Sequence, residues 1–332
     1  MNSRFALLAA VVAMAGMMIV GMTQSASAGA PTKVDWPIKG RTVSIIVSYA
    51  AGGSNDIGAR LLAPYLERDL GTPFVIVNKV GGSGQVAWSQ VALAKPDGYT
   101  IGMIALPSIS LLALDPDRKA TFSRKDFAPI ALTAPDPNAL AVRADSPYKT
   151  LKDFIDAAKA NPEKIKLAGG TILGSSHVAA VQLIQSAGIK AAMVNFDGGA
   201  PGRMATLGGH TDAVMDNASG VLKMAQSGQL RILGITGKQE SKFFPGVKTF
   251  ESQGYKVTLG TNQAYVVPAG TPKEIVDILA GSVKNAMDSD DMQKKMADLG
   301  FEPRYMGPVE LAAFWEEMES QLGPVLEQAK KQ

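Results

Sequence analysis

The sequence predicts an α/β protein of two domains. Three observations carry that expectation. Short apolar runs end in glycine-rich turns that open amphipathic helices, the same unit recurs along the chain, and the character changes near Pro135. Strands alternating with helices through short loops imply parallel pairing. A chain of 332 residues also exceeds what one hydrophobic core usually serves.

The N-terminus reads as a targeting segment. Arg4 supplies a positive charge, Phe5 to Met22 is apolar apart from small glycines, and Ala26-Ser27-Ala28 offers a small-residue cleavage site before Gly29. We expect a signal peptide cleaved after Ala28, so that residues 1–28 are removed; an uncleaved anchor is the alternative reading. A cysteine-free exported chain fits a bacterial periplasm.

Thr42 to Val47 reads as the first strand, followed by the turn Ala50-Ala51-Gly52-Gly53-Ser54-Asn55 and a helix from Asp56 to about Leu70. Ser54 or Asn55 can cap that helix, Asp56 suits its positive first turn, and Pro64 should kink it. Phe74 to Val77, then Gly81-Gly82-Ser83-Gly84, repeats the unit, with a helix to about Ala94 and a strand at Tyr99 to Ala105. Ala134-Pro135-Asp136-Pro137-Asn138 reads as a segment crossing to a second domain.

There, Thr150 and Asp153 form a capping-box-like start for a helix ending near Asn161. Ile165 to Ala168 is a strand, Gly169 to Gly174 a second glycine-rich turn, and Ser175 to Ala187 a helix. Strands at Met193 to Phe196, Ala213 to Met215 and Arg231 to Ile235 complete this set. Thr271-Pro272-Lys273-Glu274 reads as a capped helix start, followed by helices from about Ser289 to Leu299 and from Pro308 to about Gln328. Leu311, Phe314, Trp315, Met318, Leu322 and Val325 recur at helical spacing on the last, as a core-facing stripe.

Composition removes many activities. A net charge of +3 does not support nucleic-acid binding. With no Cys there is no thiolate nucleophile or thiolate metal site, and two His (His177 and His210) make a histidine metal centre unexpected. Gly82 to Ala87 matches a dinucleotide fingerprint, but the next strand ends Ile104-Ala105-Leu106-Pro107 without the acidic residue that would hold the ribose. We therefore expect no cofactor and no metal. Ser175 or Ser176 beside His177 leaves one enzymatic alternative, an exported hydrolase acting on a carboxylate.

Two turns carry more. Ala50 to Asn55 and Gly169 to Ser176 each join a strand's carboxyl end to a helix N-terminus, where unpaired N–H groups and the helix dipole bind anions. Their presence in separate halves points to one anion site shared across a cleft.

The ordered set of motifs resembles the receptors of tripartite tricarboxylate transporters, the Bug family of periplasmic solute-binding proteins. It comprises Ser48 to Arg60, Lys95 to Thr100, Gly198-Gly199-Ala200-Pro201, Asp216-Asn217 and Pro268 to Pro272, and it spans about residues 37–329. The resemblance implies a type II periplasmic-binding-protein fold, with residues 37–136 plus 258–332 as one domain and 137–257 as the other. It implies a ligand site at Tyr49, Ala50, Gly52, Gly53, Ser54 and Asn55, at Thr171, Ser175, Ser176 and His177, and at Ser108, Asp216 and Asn217. It also implies a monomer that delivers a small organic anion to the subunits of a membrane permease. A sensor that presents its ligand to a signalling partner shares the same sequence features. Asp197 stands where Lys is usual, which favours a mono- or dicarboxylate over a tricarboxylate.

Overall fold

The computed structural model describes residues 34–330, so the signal segment and its cleavage site lie outside the described residues. Strand β1 (Val43–Val47) is followed by α1 (Ser54–Leu70), β2 (Phe74–Asn78), α2 (Gln85–Ala92), β3 (Thr100–Leu106), α3 (Ser108–Leu114) and β4 (Phe127–Asp136). After Pro137 come β5 (Asn138–Arg143), α4 (Leu151–Ala160), β6 (Lys166–Gly169), α5 (Ser175–Ala187) and β7 (Ala192–Asn195). Then follow α6 (Gly199–Leu207), β8 (Ala213–Asn217), α7 (Ala218–Gln226) and β9 (Leu230–Ile235). The chain ends with β10 (Thr261–Pro268), α8 (Lys273–Asp288), α9 (Asp290–Asp298), α10 (Pro308–Ser320) and α11 (Gly323–Ala329).

The strands form two five-stranded sheets, ordered β2-β1-β3-β10-β4 and β7-β6-β8-β5-β9. Strand–helix alternation does produce parallel pairs, β1 with β2 and β3, and β6 with β7 and β8. Two strands depart from it. β10 runs against β3 and β4, and β5 runs against β8 and β9. Each is the strand by which the chain enters its sheet from the other one, so its direction is inverted. A consequence follows for function. β4 leads directly into β5, so the carboxyl ends of the parallel strands in both sheets face the same gap. That is where open α/β sheets bind ligands.

Each sheet is covered by its own apolar layer. Trp88, Phe122, Phe127 and Trp315 pack in sequence over the first sheet at centroid separations of 6.0–6.1 Å. Phe154, Leu183 and Phe250 anchor the layer over the second. Of the C-terminal stripe, Leu311, Trp315 and Leu322 are buried in the core, Phe314, Met318 and Val325 pack against it half-buried, and Leu326, outside the stripe, is buried as well. It runs over two helices, though, because α10 ends at Ser320 and α11 starts at Gly323.

Helix starts show where local reading held. Thr150 and Asp153 cap α4 reciprocally. α1 begins two residues earlier than expected, with Gly53 as its N-cap, so neither Ser54 nor Asn55 caps it. α1 also continues through Pro64, which stands on its exposed face, where water can satisfy the carbonyl that proline leaves free. Thr271 does not cap α8; its hydroxyl donates to the Pro268 carbonyl at 2.8 Å, and Pro272 holds the N-cap position.

Candidate anion site between the two sheets

Five strand ends converge on the gap. β1 delivers the loop into α1, β3 delivers Ser108 at the start of α3, and β6 delivers the Gly170–Gly174 turn into α5. β7 leads through Gly198 into α6, and β8 supplies Asp216 and Asn217 ahead of α7. Together they enclose a cavity of about 40 Å³. Its first-sheet wall is Tyr49, Gly53, Ser54, Asn55, Ala105 and Ser108. Its second-sheet wall is Gly170, Thr171, Gly174, Ser175, Ser176, Gly198, Gly199, Asp216 and Asn217, and Thr261 of β10 closes it.

The wall is rich in donors. The first N–H groups of a helix lack intrahelical acceptors, and among the described residues those of Ser54, Asn55 and Asp56 in α1 bond to nothing else, as do those of Ser176 and His177 in α5. The Ser175 N–H is taken by Ser108 Oγ at 3.2 Å. Tyr49 is half-buried, and its buried hydroxyl lies among those of Ser48, Ser108 and Thr171, yet in no geometrically sound hydrogen bond. Burial pushes its pKa up to about 12, against the pull of those neighbours, so it stays a neutral donor.

The side chains of several expected site residues are committed elsewhere. Ser54 Oγ donates to Asp136 and accepts from Gln263 Nε2 at 2.7 Å and from Ser219 Oγ at 3.1 Å. Ser176 Oγ donates to Asn138 Oδ1 at 2.9 Å, and Ser175 Oγ pairs with Thr261 Oγ1. Asn217 Nδ2 donates to Thr261 Oγ1 at 2.9 Å and to the Asp136 carbonyl at 3.2 Å. The bonds of Ser54 with Ser219 and of Ser175 and Asn217 with Thr261 tie the two sheets together, that of Ser176 with Asn138 stays within the second half, and all of them leave the backbone to face the cavity.

Ala50, Gly52 and His177 lie outside the cavity wall. The Ala50 N–H donates to the Asp197 carbonyl at 3.4 Å, and the Gly52 N–H to Asp56 Oδ2 at 2.9 Å. His177 is buried, with Nδ1 unpartnered. Burial, helped by the charge of Arg118, pushes its pKa down to about 4, so the imidazole is neutral. No serine–histidine pair forms, since both serine hydroxyls are held by Thr261 and Asn138.

Sequence reading placed Gly170 and Gly174 only within the anion-binding turn 169–176, and missed Ala105, Gly198, Gly199 and Thr261 as wall residues, and with them the polar network of Asp136, Arg203, Ser219 and Gln263. The Gly198-Gly199 pair was visible as a motif. A Cβ on Gly199 would sit 1.9 Å from Asp216 Oδ1, so that glycine makes room for the carboxylate. Asp136 accepts from Ser54, Ser219 Oγ and the Ser219 N–H. Burial raises its pKa to about 6 despite those donors, with a smaller contribution from Asp216. Asp216 is the one charged residue of the wall and is ion-paired with buried Arg203. Among the described residues no acidic or histidine cluster is arranged to hold a metal ion.

A wider groove of about 540 Å³ runs along the crossing segments, past Pro137, Lys238, Phe243 and Gly260. The N-terminus of α7 reaches it at Ala218, but the Ala218 N–H donates to the Pro137 carbonyl and the Ser219 N–H to Asp136 Oδ1.

Two α/β layers closing on a donor-lined cavity define a solute-binding fold of the periplasmic receptor type, and solved periplasmic binding proteins share it. Residues 58–330 match the family model described as the tripartite tricarboxylate transporter family receptor, and the chain belongs to that family. The family is one of solute-binding receptors rather than enzymes, which removes the hydrolase alternative. A protein of Cupriavidus necator described as "UPF0065 protein in gbd 5'region" is 32% identical over 279 residues, covering 82% of this chain and 83% of its own. An R. palustris protein solved with adipate superposes with a TM-score of 0.84 at 26% identity, covering 89% of this chain and 99% of the other. MatC from Rhodopseudomonas palustris, solved with bound malate, gives 0.80 at 28% identity, covering 88% and 100%.

Proposed function

We propose that the protein is a periplasmic receptor that captures a small organic carboxylate, a mono- or dicarboxylate, between the two sheets and delivers it to a tripartite tricarboxylate-type permease. The supporting observation is that α1 and α5 open their free N–H groups onto one cavity whose single charged wall residue, Asp216, is already neutralised by Arg203. Such termini favour an anion, and backbone donors lose no side-chain entropy on binding it. The adipate and malate bound by the two structural relatives agree with this ligand class.

A micromolar complex needs about 8 kcal/mol. Charge-assisted hydrogen bonds contribute roughly 1.5–3 kcal/mol each, so four to six contacts, from α1, α5 and Tyr49, are enough after ordering costs. The cavity of about 40 Å³ holds a carboxylate group and little more. The rest of a longer ligand is accommodated as the sheets separate. In this reading residues 37–136 plus 258–332 and residues 137–257 move as two bodies about the crossings at Pro137 and between β9 and β10. The receptor then acts as a monomer, and Tyr49, Gly53, Ser54, Asn55, Ser108, Thr171, Ser175, Ser176, Asp216 and Asn217 form its site.

The test is thermal unfolding of residues 29–332 against mono-, di- and tricarboxylates, aromatic acids and amino acids, with neutral sugars and polyamines beside them. Ligand at 100 times its dissociation constant adds about 2.7 kcal/mol, which raises the midpoint by a few degrees. We expect one carboxylate class to do so and to be recovered unchanged. A shift from neutral or cationic solutes alone overturns the reading.

A further inference from the structure

We propose that Arg203 is the latch of the closed state: a positioning residue that reaches from α6 across the gap and fixes the first-sheet anion loop over the cavity. The inference rests on the receptor reading above and concerns how that site is held shut.

Arg203 is 5% exposed, and its guanidinium spans the two halves. Nη1 pairs with Asp216 at the end of β8, on its own side. Nη2 donates to the Gly52 carbonyl at 2.8 Å, on the opposite side. Gly52 is gripped from its own side as well, because its N–H donates to Asp56 Oδ2 and Asp56 is in turn held by Arg60 and Asn78. Gly52 carries φ +77°, a conformation that side chains disfavour, so the loop needs such restraints to present the α1 terminus. The notch around the ion pair is built from glycines. A Cβ on Gly220 would lie 2.5 Å from Arg203 Nη1, and one on Gly199 would strike Asp216.

The reach of this contact makes it specific. A guanidinium carries two terminal nitrogens in a rigid fork, so it can hold Asp216 and Gly52 at once; an ammonium cannot do so in the same geometry. Arg203 does not line the cavity. It acts on ligand residence through the loop and makes no contact with the ligand itself. Separation of the sheets breaks the Gly52 bond and spares the Asp216 pair, which lies within the second half.

The experiment exploits the absence of cysteine in the chain. Spin labels on cysteines introduced at exposed Lys294 and Lys159, one on each half, report closure by pulsed dipolar spectroscopy, and stopped-flow measures adipate and malate exchange. The variant is R203K, which keeps a charge for Asp216, and thermal unfolding reports whether it is folded. For it we expect the short-distance population to shrink and the dissociation rate to rise tenfold or more, from loss of one charged hydrogen bond, with the association rate within threefold of wild type. Wild-type distances and dissociation rates in a folded R203K protein overturn the latch. If wild type binds neither dicarboxylate, the distance comparison between wild type and R203K alone decides the latch, and the receptor reading stands or falls on the thermal panel.

Discussion

Asp136 gives the sharpest test of the polar network between the sheets. It is 1% exposed, sits where β4 hands over to β5, and meets the N-terminal residues of α1 and α7 through Ser54 and Ser219. Burial raises its pKa from 3.8 to about 6. The sign follows from linkage: a carboxyl group whose pKa is raised by folding favours the protonated protein. Its contribution is complete below about pH 4 and is lost as pH rises through about 6. At 1.36 kcal/mol per unit, a rise of about two units corresponds to roughly 3 kcal/mol at most. Urea unfolding of wild type and D136N between pH 3.5 and 8 isolates this, because other titrating groups cancel in the difference. Relative to D136N, wild type should lose up to roughly 3 kcal/mol between pH 4 and 7. A gap that stays flat, or that moves in favour of wild type as pH rises, refutes the argument and shows that the hydroxyl and N–H donors outweigh burial.

Other consequences can be checked with single substitutions. Y49F removes a buried hydroxyl without a partner, so thermal stability should be unchanged or slightly raised while carboxylate affinity falls about tenfold, the value of one hydrogen bond to a charged group; titration calorimetry reads both halves of that statement against unfolding. S54A and S54P both lose the Oγ contacts to Asp136 and Gln263, but only S54P loses the N–H at the first helical position, where proline is tolerated. S54P should therefore bind at least tenfold more weakly than S54A at similar stability; equal affinities would show that this N–H does not face the ligand. D56A should cost about 1–3 kcal/mol of stability, since the carboxylate holds the Gly52 N–H, Arg60 and Asn78, and that loss should fade at acid pH because these partners hold its pKa below the usual range against burial.

What was legible in the sequence followed local rules. Glycine-rich turns after apolar runs located the loop before α1 and the turn before α5, and reciprocal capping by Thr150 and Asp153 marked α4. β4, β5 and β10 were not legible, because their pairing is set by the chain's passage between sheets and no turn motif announces them. The cavity wall was read well where a helix N-terminus supplied it. Side-chain roles were not legible: the hydroxyl of Ser54 bonds to Asp136 and, across the gap, to Ser219, and that of Ser176 holds Asn138 in its own half. His177 was legible as a residue of the α5 turn, but its burial outside the wall depends on the packing around it. Arg203 lies on α6, a helix with no capping signature, and its partners are 13 and 151 residues away. Spacing cannot reveal such a bridge.

The central claim is that one carboxylate is shared by the α1 and α5 termini. A crystal structure of residues 29–332 grown with the tightest-binding acid from the thermal panel tests it most directly. The account predicts carboxylate oxygens within hydrogen-bond distance of the Ser54 or Asn55 N–H and of the Ser176 N–H, with Tyr49 beside them. A ligand seated instead in the groove along Pro137, Lys238 and Gly260, with those N–H groups facing water, would contradict it.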